Sequence, residues 1–223
     1  MRQFVALVAV AIAVGLPSVT LYAQDTKYSN SARSGNDTQL VAVRLSDGIS
    51  IGLPPGWHVE DAASNLQRTR AGFAVLDLAG IPRGRGGLLM TATPTGDMNV
   101  ASVMISVQKG HSATQSDVAA LSGARLAQVQ QQFREDLEAG MRVEGARLVR
   151  WIGSEKVTLG TLSSLVTRYT YQMPGRPLME MESHRVFLGG GSVGLMLQHG
   201  VDSGLAWKAT LERIRDSFTA SEW

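Results

Sequence analysis

Glu180-Met181-Glu182-Ser183-His184 is the densest group of reactive side chains in the sequence. As a strand it alternates, so Glu180, Glu182 and His184 share one face. Two carboxylates and an imidazole are ligand types for zinc or another divalent cation. His199 joins them if the chain turns back at Gly190-Gly191, which sets residue 182 opposite residue 199. A three-residue turn shifts the register by one and sends His199 to the other face. The plain alternative is a solvated polar face, which antiparallel sheets routinely carry. Met179 and Met181 lie on the opposite face, with Met173 and Met196 near in the pattern. Thioethers suit Cu(I), but inward methionine is more simply a core filler.

Other chemistries lack their parts. Nucleophilic hydrolysis needs a nucleophile, a base and an orienting group. The chain has four histidines (His58, His111, His184, His199) and no Gly-x-Ser-x-Gly elbow. Gly189-Gly190-Gly191-Ser192-Val193-Gly194 looks like a phosphate loop. An apolar strand follows it, not a helix N-terminus, so the amide cradle for phosphate is missing. A glycine hairpin is the better reading, and no cofactor is expected. Arg83 and Arg85 in a glycine-rich loop, with Tyr169 and Tyr171 on one strand face, are the candidate partner contacts. Loop arginines are more often plain solvated charge.

The 223 residues carry 21 Lys plus Arg against 19 Asp plus Glu, a net charge of +2. That balance, without clustered basic residues, excludes a nucleic-acid binder. Cysteine is absent, which excludes disulfides, Cys zinc sites, thiol nucleophiles and a lipoprotein anchor.

Residues 1–23 read as a signal peptide. Arg2 precedes an unbroken apolar run from Phe4 to Leu16, Gly15 and Pro17 break it, and Ala23 closes it. As a helix that run reaches about 20 Å, short of a ~30 Å hydrocarbon core. Cleavage after Ala23 sends the chain to the periplasm or outside the cell, with no later span to hold it in a membrane. The uncleaved alternative is an N-terminal anchor. Residues 24–38 are polar and read as a flexible leader. Residues 39–219 are expected to form a single domain, followed by a tail at 220–223.

Within that domain, residues 40–45 and 49–53 read as strands around an Asp47-Gly48 turn. Pro54-Pro55-Gly56 ends the second strand, and Trp57 returns to the core. Residues 59–80 are ambiguous. Asp61 or Ser64 is a helix cap, but Leu66, Phe73 and Leu76 are loosely spaced and Gly72 weakens the pattern. Strands follow at 88–93 and 101–108. One helix of about 25 residues is predicted from Thr114, with Asp117 in a short capping box, to Gly140. Strands are predicted at 146–152, 155–159, 162–173, 178–188 and 193–199. A last helix covers 204–218, with Leu205, Leu211, Ile214 and Phe218 inward. Strands, a helix, more strands and a helix make an α+β fold, an antiparallel sheet flanked by helices.

Ile49-Ser50-Ile51-Gly52-Leu53-Pro54-Pro55-Gly56-Trp57 resembles the strand and Pro-x-Gly-Trp opening of the PsbP/DcrB-like superfamily. Lys156-Val157-Thr158-Leu159-Gly160, running on to Tyr169, is similar to its strand pair. Leu211-Glu212-Arg213-Ile214-Arg215-Asp216-Ser217-Phe218 is similar to its closing helix. The resemblance implies an α/β/α sandwich and a non-catalytic role, since members include extrinsic photosystem subunits and exported proteins. It supplies no catalytic residue. The expected function is therefore an exported binding, accessory or assembly protein with an envelope protein as partner. The alternative is a divalent-metal-binding protein or metal-dependent enzyme using Glu180, Glu182, His184 and His199. A third reading is a small-ligand carrier. The sequence leaves the oligomeric state open.

Overall fold

The computed structural model describes residues 39–81, 84–96, 101–110 and 113–221. The segments expected to be a signal peptide (1–23) and a leader (24–38), and Arg83, lie outside the described residues. In chain order the elements are β1 (Val41–Arg44), β2 (Ser50–Leu53), β3 (Trp57–Val59), α1 (Ala62–Leu78), β4 (Arg85–Pro94) and β5 (Ala101–Lys109). Then come α2 (Gln115–Ala119), α3 (Gly123–Val143), β6 (Arg147–Leu159), β7 (Leu162–Gln172), β8 (Leu178–Leu188), β9 (Gly191–Gly200) and α4 (Gly204–Asp216). Strands β3 to β9 make one sheet in the order β3-β4-β5-β9-β8-β7-β6. Every neighbouring pair is antiparallel. Among the described residues, no helix is long and apolar enough to cross a membrane.

Each sheet face is covered. One carries Met104, Tyr169, Tyr171, Met181 and Met196, packed under Leu76 of α1 and Phe133, Leu137 and Met141 of α3. The other carries Val103, Ile105, Val186 and Leu195, packed under Ile51 of β2 and Leu211 and Ile214 of α4. Alternation along the strands puts successive residues on opposite faces, so two cores are needed.

The short β1–β2 pair is a separate ribbon. Asp47 (φ 59°) and Gly48 (φ 68°) form its turn, the positive-φ pair that a two-residue hairpin favours. The chain end holds this ribbon down. Gly52 N donates to Ser217 Oγ at 2.8 Å, Ser50 and Thr219 exchange backbone hydrogen bonds at 2.9 Å each way, and Phe218 is buried between them and the sheet.

Helix α1 settles the ambiguous stretch. Asp61 caps it, accepting from Ser64 N at 2.7 Å. Its buried side is Asn65, Thr69, Gly72 and Leu76. That spacing is helical, but the residues are mostly polar, so hydrophobic periodicity could not reveal it. Thr69 Oγ1 accepts from Leu88 N at 2.9 Å, and Asn65 Oδ1 accepts from Thr91 Oγ1 at 3.0 Å. The polar stripe thereby satisfies groups on β4.

The single helix expected from Thr114 to Gly140 is two. α2 starts in the Thr114–Asp117 capping box and stops at Ala120. Ser122 then caps α3 anew, accepting from Arg125 N at 3.3 Å. Gly140 does not end α3. It is buried inside the helix, which runs on to Val143. Leu205, expected on the inward face of the last helix, is 98% exposed.

Strand β6 is continuous where two were expected. The β6–β7 register slips between Leu148 and Arg150 and again between Trp151 and Gly153. Val149 and Ile152 are the extra residues, and each is 45% exposed. The two bulges let Leu148 and Trp151, three apart, both pack inward against the core.

Candidate functional site

The Glu-His strand folds as expected in its central respect. Glu180, Glu182 and His184 alternate along β8 on the α4 side of the sheet. The connecting turn is Gly189-Gly190, one residue earlier than expected, because Leu188 pairs with Gly191. His199 is consequently opposite Glu180, not Glu182, and still shares the face. Glu180, Glu182, Leu197, His199, Lys208, Leu211 and Glu212 line a cleft of about 60 Å³ between the sheet and α4.

The cluster is a salt-bridge hub. Glu182 Oε2 accepts from Arg168 Nε at 2.7 Å. Its Oε1 lies 2.7 Å from His184 Nε2 and 3.4 Å from Arg215 Nη1. Arg168 also pairs with Glu155, and Arg215 with Asp216 at 2.9 Å. Burial alone would raise the Glu182 carboxyl, but the hydrogen bonds and charges of His184 and Arg168 override it and hold it at about 2. The carboxylate at the centre of the divalent-metal alternative is thus already engaged by Arg168, His184 and Arg215. Both Glu182 oxygens are taken by cationic donors, and the His184 nitrogen that faces Glu182 is bonded to it. His199 Nδ1 lies 3.0 Å from Gly200 O. Among the described residues no three His, Asp or Glu side chains converge as a cation requires. The four methionines weighed for copper are buried in the core under α1 and α3.

A second alignment was invisible in the sequence. Ser164 Oγ stands 3.5 Å from His184 Nδ1, whose ring bonds Glu182 on its other side. The order hydroxyl, imidazole, carboxylate is that of a hydrolase triad. Here the serine and imidazole are closed to solvent. Ser164 is 0% and His184 2% exposed, the Ser–His distance is too long for a good hydrogen bond, and Ser164 also reaches Arg185 O at 3.3 Å.

The tyrosines expected to meet a partner are buried instead. Tyr169 stacks on Trp151 with ring centroids 6.4 Å apart. Tyr171 donates to Gln198 Oε1 at 2.7 Å. Burial pushes both phenols well above their usual range. Their strand face points at α3, which the sequence could place near them but not on top of them. Arg85 is exposed at the start of β4, as a contact residue must be.

On the α1 side a second crevice of about 60 Å³ opens among Arg68, Met104, Met173, Arg176 and Met179. Thr93 Oγ1 and Ser102 Oγ line it, buried and without hydrogen-bond partners. That space is large enough for a few waters or a very small guest. Arg68 at its rim is committed to Glu60, with contacts of 2.5 and 2.7 Å.

No family model and no curated protein matches the chain. Solved structures do. The solution structure of cyanobacterial PsbP (CyanoP) from Synechocystis sp. PCC 6803 superposes with a TM-score of 0.56 at 13% identity, covering 86% of this chain and 98% of that one. LpqN of Mycobacterium tuberculosis, described as involved in cell envelope biogenesis, gives a TM-score of 0.42 at 16% identity, covering 81% and 90%. The second is too distant to support an argument. The first, with the seven-stranded antiparallel sheet between two helical layers, makes this chain a PsbP-like α+β sandwich.

Proposed function

We propose that the chain is an exported, non-catalytic accessory protein of the cell envelope that acts by binding another protein. In this reading residues 1–23 are a cleaved signal peptide, 24–38 a leader and 39–219 one binding domain, located in the periplasm or secreted. The observation that carries it is the sealed state of the most enzyme-like alignment. Ser164 and His184 are ordered with Glu182 as a triad, yet the serine and histidine are closed to solvent and the carboxylate is tied down by two arginines. The fold shared with cyanobacterial PsbP supports it. So does the outer edge of β6, where bulged Val149 and Ile152 hold apolar side chains in solvent. An edge strand with exposed apolar groups is a natural docking line for a protein partner.

The test is site-specific photocrosslinking in cells. A photoreactive residue at Ile152 should give one discrete crosslinked envelope protein, and the same residue at exposed Gln131 on α3 should not. Ile152→Lys in the otherwise native chain should abolish co-purification of that protein. Absence of any position-dependent crosslink from β6 and Arg85, or hydrolytic activity that disappears in Ser164→Ala, would overturn the reading.

A further inference from the structure

Thr91 and Thr93 share one face of β4, yet only one of the two hydroxyls is served. Thr91 Oγ1 donates to Asn65 Oδ1 of α1 at 3.0 Å. Thr93, one strand repeat further on, is 6% exposed, and its hydroxyl has no hydrogen-bond partner among the described residues. The β4–β5 ladder pairs Ala92 with Val103, so one step on Thr93 stands opposite Ser102. Ser102 is 4% exposed, and its hydroxyl is unpartnered as well. Ser102 in turn pairs with Gln198 of β9. Side chains opposed in this way stand about 5 Å apart, so the three make one polar row across β4, β5 and β9. Tyr171 donates to the Gln198 oxygen at 2.7 Å, which leaves the carboxamide NH2 as the group Gln198 can offer.

This row borders the crevice of about 60 Å³ on the α1 side, which Thr93, Ser102 and Gln198 all line. Met104, Met173 and Met179 form its apolar walls. Arg68 and Arg176 also line it, and among the described residues no acidic side chain does. Arg68 is held by Glu60, so direct recognition falls to the row. A buried hydroxyl without a partner is costly, and valine or alanine would remove that cost if the positions served packing alone. Donors gathered at one part of a methionine-walled crevice, with arginines beside it, are the chemistry of a site for a small amphiphilic anion.

We propose that this crevice binds a short aliphatic carboxylate. The carboxylate accepts from the Thr93 and Ser102 hydroxyls and from the Gln198 NH2, and the hydrocarbon end lies along the methionine walls. An ionised carboxylate only accepts, which suits a row of donors. An ammonium would bring only donors and would face two arginines. The volume sets the chain length. A void of ~150 Å³ takes benzene, so one of about 60 Å³ takes acetate or propionate, and a longer chain must protrude from the mouth. The site lies on the opposite sheet face from the Glu182 hub and does not rest on the protein-binding reading.

The experiment is an NMR titration of the full chain, its methionine methyl groups isotopically labelled, with sodium propionate at pH 7 and constant ionic strength. The expected result is a saturable movement of the Met104, Met173 and Met179 methyl resonances. The Met90 methyl, which packs in the core on the other face, should stay still. Propionamide and propanol, of the same length but uncharged, should need at least about tenfold higher concentration for the same movement. Thr93→Val keeps the shape and removes one unpartnered hydroxyl. It should be at least as stable as the native chain and need about tenfold more propionate, and Ser102→Ala should behave in the same way. Crevice methyls that do not move, or a Met90 methyl that moves as much as they do, would overturn the proposal. So would propionamide binding as tightly as propionate, or native affinity in both variants. If neither variant folds, the native titration and the propionamide comparison decide.

Discussion

Arg168 and Glu182 are direct cross-strand partners on β7 and β8, with the guanidinium Nε 2.7 Å from Oε2. The pair anchors a network that links the sheet to α4 through Arg215. Charge and geometry there are interdependent, because one carboxylate serves three donors.

Replacing that carboxylate tests the network. Glu182→Gln leaves two guanidiniums and His184 around an amide, and should cost about 2–3 kcal/mol at pH 7. The Glu182 carboxyl lies at about 2 in the fold against 4.5 in the unfolded chain. A lowered value stabilises fully above pH 4.5 and is lost as pH falls toward 2. The gap between native chain and variant in urea unfolding should therefore shrink below pH 4.5. A gap that stays constant from pH 7 to pH 3 would contradict the assignment.

Glu144, at the C-terminal end of α3, works in the opposite sense. Its Oε2 is buried without a hydrogen-bond partner, and burial raises the carboxyl from 4.5 to about 7. A raised acid favours the protonated fold, so stability is greatest below pH 4.5 and declines as pH rises through 7. Glu144→Gln should stabilise the protein by about 1–3 kcal/mol at pH 8 and leave it unchanged at pH 4. Urea unfolding at the two pH values measures this directly.

Thr69 shows why α1 escaped the sequence pattern. Its hydroxyl gives the buried Leu88 N–H an acceptor and itself donates to Asn65 O at 2.9 Å. Thr69→Val keeps the shape but orphans that N–H, and should cost about 1–3 kcal/mol. Thr69→Ser should recover most of it. Equal losses for both variants in a denaturant titration would assign the effect to the missing methyl group instead.

Gly86 is the most restrictive position in the sheet. It takes φ 145°, and a Cβ there would stand 1.9 Å from Val107 O. Gly86→Ala must push β4 and β5 apart, and should cost about 3 kcal/mol or more. Loss of hydrogen-exchange protection should concentrate in the β4–β5 pair. Uniform loss would point to the whole sheet.

The legible parts of the sequence were those where local pattern and burial agree. Strand β8 was read to the residue: alternation runs from Leu178 to Ser183, and beyond it both faces are buried up to Leu188. The Asp47-Gly48 turn and the Thr114–Asp117 cap are local chemistry, and both formed. Reading stopped where the reason was tertiary. Asn65 and Thr69 face inward because β4 presents groups for them to bond. Gly153 looked like a break because the bulges at Val149 and Ile152 are defined only against β7. The carboxylate hub needed Arg168 from the neighbouring strand and Arg215 from α4, residues 14 and 33 positions from Glu182. Thr93 and Ser102 carried no signal either, since the lack of a hydrogen-bond partner is a property of what folds around a hydroxyl.

The clasp between Ser50 and Thr219 ties nearly the first described residues to nearly the last. A polypeptide synthesised amino end first thus delivers its opening ribbon long before the segment that closes it. Throughout that interval Ile49, Ile51 and Leu53 stay uncovered by Phe218 and α4. The bare ribbon is a ready target for chaperones, and truncation by even a few C-terminal residues should be read by proteases as an unfinished molecule.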